Sequence, residues 1–191
     1  MSAADELCYL SAGTLAARLR ARKVSPVEVI DALADRIKRL NPKLNAYITL
    51  DLDNARKDAE MKHKMRQEHP DGDLGLLHGV PVAIKDDLEV AGLRYTCGSR
   101  LREKEIGKTD DLTVKRLRRA GAIIVGKTNE PEFGHKGVTD NKLLGTTPNP
   151  WNLDRTAGGS FGEGTPVAGN PGRDRNPCAL STGSAGGGHC R

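Results

Sequence analysis

The chain has 191 residues, 37% of them hydrophobic, which suits one ordinary domain or the first part of a larger one. Its net charge of +5 comes from 30 basic and 25 acidic residues, and both signs are spread along the whole sequence. Because aromatic residues make up 3% and no basic run is interleaved with Phe or Tyr, the composition argues against a nucleic-acid-binding protein.

The N-terminal segment shows no pattern of a targeting signal. Met1–Leu10 contains Asp5 and Glu6 and lacks the apolar stretch of an export signal, and no later stretch is apolar enough to cross a bilayer. We therefore expect a cytoplasmic protein with no membrane partner. The four cysteines show neither a CxxC pair nor a histidine at metal-ligand spacing, so the sequence predicts no metal site and no disulfide scaffold. They are Cys8, Cys97, Cys178 and Cys190.

The first part of the chain is predicted to be mainly helical. Ser25, Pro26 and Glu28 have the pattern of an N-cap, a first-turn proline and a capping box. Apolar residues follow at helical spacing, which predicts a helix from about Pro26 to Leu40. Further expected elements are a short helix over Thr14–Arg22, a strand over Asn45–Leu50, a solvated helix over Asn54–Gln67 and a loop over His69–Gly75.

A helix and two buried strands are predicted next. Val80–Ile84 is a short apolar run that ends in Lys85, Asp86 and Asp87. Asp110–Gly121 is typical of a helix, and it precedes a second buried strand. That strand is expected over Ala122–Val125, with Gly126 as its stop. The alternation of helix and strand favours an α/β layer architecture.

The last 35 residues differ in composition. They hold ten of the 22 glycines and few large apolar side chains. Such a segment cannot bury a core, so we expect residues 161–191 to be a disordered Gly/Pro/Arg-rich tail.

Three segments carry a family resemblance. They are residues 77–86 (LHGVPVAIKD), 118–133 (RRAGAIIVGKTNEPEF) and 149–160 (NPWNLDRTAGGS). In this order and at this spacing they closely resemble the amidase signature family, and the resemblance covers about Leu10 to Ser160. It implies an α/β fold with a mixed sheet core covered by helices. Residues 1–160 would form the N-terminal part of that domain, with the sheet incomplete.

The resemblance also implies a chemistry, the hydrolysis of carbon–nitrogen amide bonds by a Ser–Ser–Lys mechanism. In this mechanism a lysine base activates a nucleophilic serine through a bridging serine. Lys85 matches the family's lysine and Ser160 matches its bridging serine. No cofactor and no metal are implied. The expected partner is a small-molecule amide substrate, and a homo-oligomer is left open.

The chemistry of Lys85 sets a requirement on its surroundings. A lysine is a base only when neutral, and its unperturbed pKa is about 10.4. Lowering that pKa to about 7 costs on the order of 4–5 kcal/mol of charge desolvation. We expect the apolar strand Val80–Ile84 to provide a buried position in which the pKa of Lys85 is depressed. The alternatives are a surface lysine at position 85 and a loop serine or N-cap at Ser160.

Other reactive side chains have simpler explanations. His78 and His135 are interpreted as structural histidines and Cys97 as an inert buried thiol, because none has an identifiable catalytic partner. Asp86 and Asp87 are adjacent on a strand end and point to opposite faces. They are interpreted as turn formers or as acceptors for backbone amides, and not as an acid/base pair.

The sequence departs from the family pattern directly after Ser160. The family continues with a second Gly-Gly and an alanine-rich helix, and its nucleophile lies about two dozen residues on, in a segment like Asp-Thr-Gly-Gly-Ser-Ile-Arg. No such segment follows here, and Ser184 is a weak substitute. We therefore expect a truncated chain of doubtful activity on its own, and a shifted reading frame is one hypothesis for the tail.

Three functions remain open. The first is an amidase. The second is the amidase component of a tRNA-dependent amidotransferase, ranked lower because Glu132–Asn141 looks more like general amidases. The third is a non-catalytic fragment, which the tail favours.

Overall fold

Helices make up most of the first third of the chain in the computed structural model, which describes residues 3–159. The helices are α1 (Ala3–Leu7), α2 (Ala12–Arg20), α3 (Pro26–Leu44), α4 (Leu52–Glu68) and α5 (Leu112–Arg119). The strands are β1 (Tyr47–Leu50), β2 (Pro81–Lys85), β3 (Ile123–Thr128), β4 (Asp140–Asn141), β5 (Gly145–Thr146), β6 (Pro148–Asn149) and β7 (Asn152–Thr156). The tail predicted over residues 161–191, with Ser160 and Ser184, lies outside the described residues.

Helix α3 begins as predicted and ends later. The Ser25 hydroxyl accepts from the Glu28 amide at 3.1 Å, and the Glu28 carboxylate accepts from the Ser25 amide at 2.8 Å, so the capping box is complete. The helix continues past Leu40 and through Pro42 to Leu44. It stops at Asn45, which adopts a left-handed conformation at φ 46°.

The main sheet has the strand order β1-β3-β2. Strand β3 runs antiparallel to β1 and parallel to β2, which confirms the predicted mixed sheet. The prediction that Gly126 stops β3 is wrong, because the strand continues to Thr128. Gly126 instead permits close pairing with β1, since a Cβ at this position would lie 2.3 Å from the Thr49 carbonyl oxygen.

Both faces of this sheet are buried. Ile123 and Val125 point to one apolar cluster, which α2, α3 and α4 complete, whereas Ile124 points to a second cluster with residues of α5. The side chains alternate because successive residues of a strand face opposite sides of the sheet. The expected α/β layer arrangement is therefore confirmed over the described residues.

The segments after β2 and β3 lie around one end of the sheet. The second of them contains the hairpins β4–β5 and β6–β7, and all five residues of β7 are exposed.

No helix within residues 3–159 has both the length and the apolar composition to span a membrane.

Candidate functional site

Lys85 is the last residue of β2 and lies opposite Thr128 of β3. The residue is 8% exposed, as the burial prediction requires. The turn after β3 passes close to its amine, since a Cβ at Gly134 would lie 3.6 Å from Lys85 Nζ. The lysine head is thus enclosed at the carboxyl end of two parallel strands, where polar groups of α/β folds commonly meet.

Two carboxylates contact the Lys85 amine. Asp87 Oδ2 accepts from Nζ at 3.0 Å, and Glu130 Oε2 lies 3.3 Å from Nζ. The Asp87 side chain is 40% exposed, whereas that of Glu130 is fully buried. The amine therefore has one carboxylate partner open to solvent and one enclosed in the protein.

The charge state of Lys85 differs from the expectation. Burial lowers the pKa of its ammonium, but the hydrogen bond and charge of Asp87 and the charge of Glu130 outweigh this effect, so the pKa is raised. The predicted depression is wrong because the side chain extends beyond the apolar strand and ends beside two acids. In the arrangement described here, Lys85 is protonated at neutral pH.

Glu130 lies two residues after the end of β3, and it was not predicted from the sequence as a site residue. Burial raises the pKa of its carboxyl to about 7, the charge of Asp87 acts in the same direction, and Lys85 opposes both. Apart from the Lys85 contact, neither carboxylate oxygen has a hydrogen-bond partner in the described part of the chain. The available signal was an acidic residue two positions after a buried strand, at the same sheet end as Lys85.

A second buried ion pair lies next to the first. Lys127 Nζ donates to Asp86 Oδ1 at 3.0 Å, and both side chains are fully buried. The other oxygen of Asp86 accepts from the Thr96 amide at 3.0 Å and from the Thr96 hydroxyl. Asp86 is therefore a backbone-amide acceptor as predicted, whereas Asp87 pairs with Lys85. Lys127 was not predicted from the sequence as a site residue.

A network of polar side chains supports the segment that leads to Ser160. Asn141 donates to the Glu130 carbonyl oxygen at 2.7 Å and to the Asn129 side chain at 2.8 Å. The buried Thr139 hydroxyl donates to the Gly159 carbonyl oxygen at 3.2 Å. These bonds hold the turn around Glu130 and anchor the last described residue before Ser160.

The remaining candidate side chains have structural environments. His78 is buried, its Nε2 lies 2.9 Å from the Lys62 carbonyl oxygen, and burial lowers its pKa. His135 is exposed and contacts the Glu132 carbonyl oxygen. Cys97 is buried as predicted, and desolvation raises the pKa of its thiol. Within the described residues no three His, Cys, Asp or Glu side chains are grouped as a metal site requires.

Comparison with known proteins gives a consistent result. The family model described as Amidase matches residues 28–191. The chain is 43% identical over 159 residues to a glutamyl-tRNA(Gln) amidotransferase subunit of Carboxydothermus hydrogenoformans, covering 82% of this chain and 32% of the relative. It is 41% identical over 156 residues to an acylamidase of Rhodococcus erythropolis, with the same coverage of both chains.

Solved structures resemble the described fold. A fatty acid amide hydrolase superimposes with a TM-score of 0.80 at 27% identity, covering 87% of this chain and 31% of that chain. A bacterial aryl acylamidase of the amidase signature enzymes gives a TM-score of 0.74 at 32% identity, covering 81% of this chain and 32% of that chain. The chain spans about a third of the length of the curated relatives it matches.

Proposed function

The chain belongs to the amidase family, the amidase signature enzymes, and on that premise we propose that it supplies the lysine base of a site that hydrolyses carbon–nitrogen amide bonds. In this proposal Lys85 is the base and Ser160 relays the proton between it and the attacking nucleophile. The observation that carries the proposal is the burial of Lys85 at the end of β2, beside the turns after β2 and β3. Lysine side chains usually remain in contact with solvent, so a buried lysine is unusual.

The proposed reaction proceeds in two stages. The nucleophile attacks the amide carbonyl while its proton passes through Ser160 to the Lys85 amine, and the resulting ammonium returns the proton to the leaving amine as the C–N bond breaks. Water then attacks the acyl-enzyme, its proton follows the same route, and a carboxylic acid is released. Lys85 must therefore alternate between amine and ammonium in every turnover.

The protonation of Lys85 is the main obstacle to this role. At neutral pH an unperturbed lysine is neutral in about one molecule in 2,500, and the carboxylates of Asp87 and Glu130 disfavour the amine further. The site must therefore contain a means of removing this proton before the base can act.

A second candidate function is that of an amidotransferase component. It is supported by the 43% identity to a protein named as one subunit of glutamyl-tRNA(Gln) amidotransferase. We rank it second because the acylamidase is 41% identical over a similar length, so the similarity does not separate the two. The distinguishing property is dependence on partner proteins, because a general amidase needs none for hydrolysis.

We also propose a cytoplasmic location. The thiols of Cys8 and Cys97 are buried and unpaired, which agrees with a reducing compartment.

The proposed function is tested by incubating the purified chain with a panel of aryl and aliphatic amides and measuring released amine or ammonia. Lys85→Ala is expected to abolish release, and Lys115→Ala, an exposed lysine of α5, is the matched control. Release that persists in Lys85→Ala would contradict the role of the lysine. A wild-type chain that releases nothing would exclude amidase activity of this polypeptide alone and support a non-catalytic chain.

A further inference from the structure

The Glu130 carboxyl is the least compensated polar group of the candidate site. Its side chain is fully buried, and its oxygens have no hydrogen-bond partner among the described residues. A buried carboxylate normally accepts several hydrogen bonds, because each replaces lost hydration. Lys85 Nζ at 3.3 Å is its counter-ion, so the Glu130 carboxylate depends on a buried ion pair and accepts no further hydrogen bond from the described residues.

Glu130 and Lys85 are the two buried members of a group of charges at this end of the sheet, and Asp87 is its exposed member. Asp87, on the turn after β2, contacts Lys85 at 3.0 Å and raises the pKa of both Lys85 and Glu130, although its 40% exposure lets water screen part of its charge. Asp86 is neutralised by Lys127 at 3.0 Å. The Cys97 thiol, on the loop after β2, stays protonated because burial raises its pKa. The two buried groups thus titrate as a unit.

A buried ion pair has a neutral alternative. Moving one proton from the ammonium to the carboxylate gives an amine and a carboxylic acid, with no change in net charge. Removal of water favours this neutral form, because desolvation penalises two charges and not two neutral groups. The neutral form also contains the amine that the proposed mechanism requires.

We propose that Glu130 is a positioning residue that takes up the proton of Lys85, so that the lysine amine forms inside the site without release of a proton to water. The N–H bond of the ammonium breaks, an O–H bond forms on Glu130, and the electron pair stays on Nζ. This inference rests on the proposed role of Lys85 as base and supplies the missing means of deprotonation. When Lys85 returns its proton to the leaving group, Glu130 remains protonated until the pair resets.

The proposal predicts an unusual pH dependence for the Lys85 amine. Glu130, with a pKa of about 7, loses its own proton near neutrality, and only then can it accept one from Lys85. Above that pH the pair holds one proton, and the fraction of neutral amine is constant over a plateau. Without the carboxylate, the neutral fraction rises about tenfold per pH unit until the lysine itself titrates.

The experiment is competitive labelling of the purified full chain with trace acetic anhydride, in which only neutral amines react. The extent of Lys85 acetylation is read by peptide mass spectrometry between about pH 6 and pH 10, relative to an added amine of known pKa. The variants are Glu130→Gln and, as a matched control, Glu132→Gln, whose carboxylate accepts from the Ser99 hydroxyl at 2.6 Å. Labelling needs no enzymatic activity.

For the wild type and Glu132→Gln, we expect Lys85 labelling to rise near pH 7 and then change less than about twofold between pH 8 and pH 9. For Glu130→Gln, we expect a rise of about tenfold over the same interval. A tenfold rise in Lys85 labelling of the wild type between pH 8 and pH 9 would overturn the proposal. This test uses the wild type alone, so it remains valid even if the variant fails to fold. Loss of activity in Lys85→Ala tests the proposed function separately, so the two ideas can fail independently.

Discussion

Lys127 Nζ lies 3.0 Å from Asp86 Oδ1, and both side chains are fully buried although they are 41 positions apart in the chain. Lys127 belongs to β3, and Asp86 directly follows β2. The ammonium also lies 3.2 Å from the Arg94 carbonyl oxygen. The pair therefore ties the loop after β2 to the central strand, next to the residue proposed as the base.

Replacing Lys127 by Met should destabilise the fold strongly. The Asp86 charge would remain buried without its counter-ion, which costs about 3–5 kcal/mol of unfolding free energy. Urea unfolding followed by circular dichroism measures this change. Lys64→Met is the control, because Lys64 is 75% exposed and pairs with Glu68 at 3.7 Å on the surface of α4. Equal effects of the two substitutions would show that the buried pair is not a stabilising contact.

Glu130 should make the protein less stable as the pH rises from about 4.5 to about 7. Its pKa is raised in the folded state to about 7 from 4.5, so the folded chain binds more protons than the unfolded chain across this window, and stability falls as they are lost. Glu130→Gln removes this loss. The free energy of unfolding of the variant, taken relative to that of the wild type, should therefore rise by roughly 3 kcal/mol from acidic to neutral pH.

The measurement for Glu130→Gln is denaturant unfolding at about pH 4.5 and pH 8. Glu132→Gln provides the reference for an amide substitution in the same turn. A wild-type protein that gains stability over this window relative to Glu130→Gln would mean that the Glu130 pKa is depressed in the folded state.

Gly126→Ala should disrupt the pairing of β1 with β3. The added Cβ would lie 2.3 Å from the Thr49 carbonyl oxygen, so the two strands would have to separate, at a cost of about 3 kcal/mol. Thermal unfolding compares this variant with Gly137→Ala, where a Cβ meets nothing within 4 Å. Similar melting temperatures would show that β1 can shift without penalty.

Thr139→Val should impair amide hydrolysis more than folding. The substitution keeps the shape of the side chain but removes the hydroxyl that donates to Gly159 at 3.2 Å, directly before the proposed relay Ser160. We expect a loss of roughly tenfold in kcat, because small displacements of a reacting group slow the chemical step. Thr139→Ser retains the donor and should restore the rate, whereas equal losses in both variants would point to packing.

The existence and type of most elements could be predicted from local patterns. The capping box at Ser25 and Glu28 correctly predicted the start of α3, and the apolar run Val80–Ile84 correctly predicted a buried strand. The ends of two elements differ from the prediction. Helix α3 passes Pro42 and ends at Asn45, whose left-handed conformation the local pattern did not indicate. Strand β3 passes Gly126 because the missing side chain lets the backbone of β1 approach, a contact that no local window contains.

The candidate site was predictable in part. Lys85 was identified from motif resemblance, and its burial is confirmed. Glu130 and Lys127 were missed because both lie in the segment after or within β3, and their partners lie at the end of β2. The role of Ser160 stays a prediction.

The sequence by itself determined the helices, the buried strands and the position of Lys85, because caps and hydrophobic periodicity act over a few residues and the motifs lie in continuous segments. The tertiary structure alone decided the electrostatic state of that lysine. The turn after β2 places Asp87 at 3.0 Å from Nζ, and parallel pairing of β2 with β3 brings Glu130 within 3.3 Å. Together these two carboxylates raise the pKa that the sequence predicted to be lowered. Such an effect depends on distance in space and on exclusion of water, and neither quantity is encoded in any one segment of the chain.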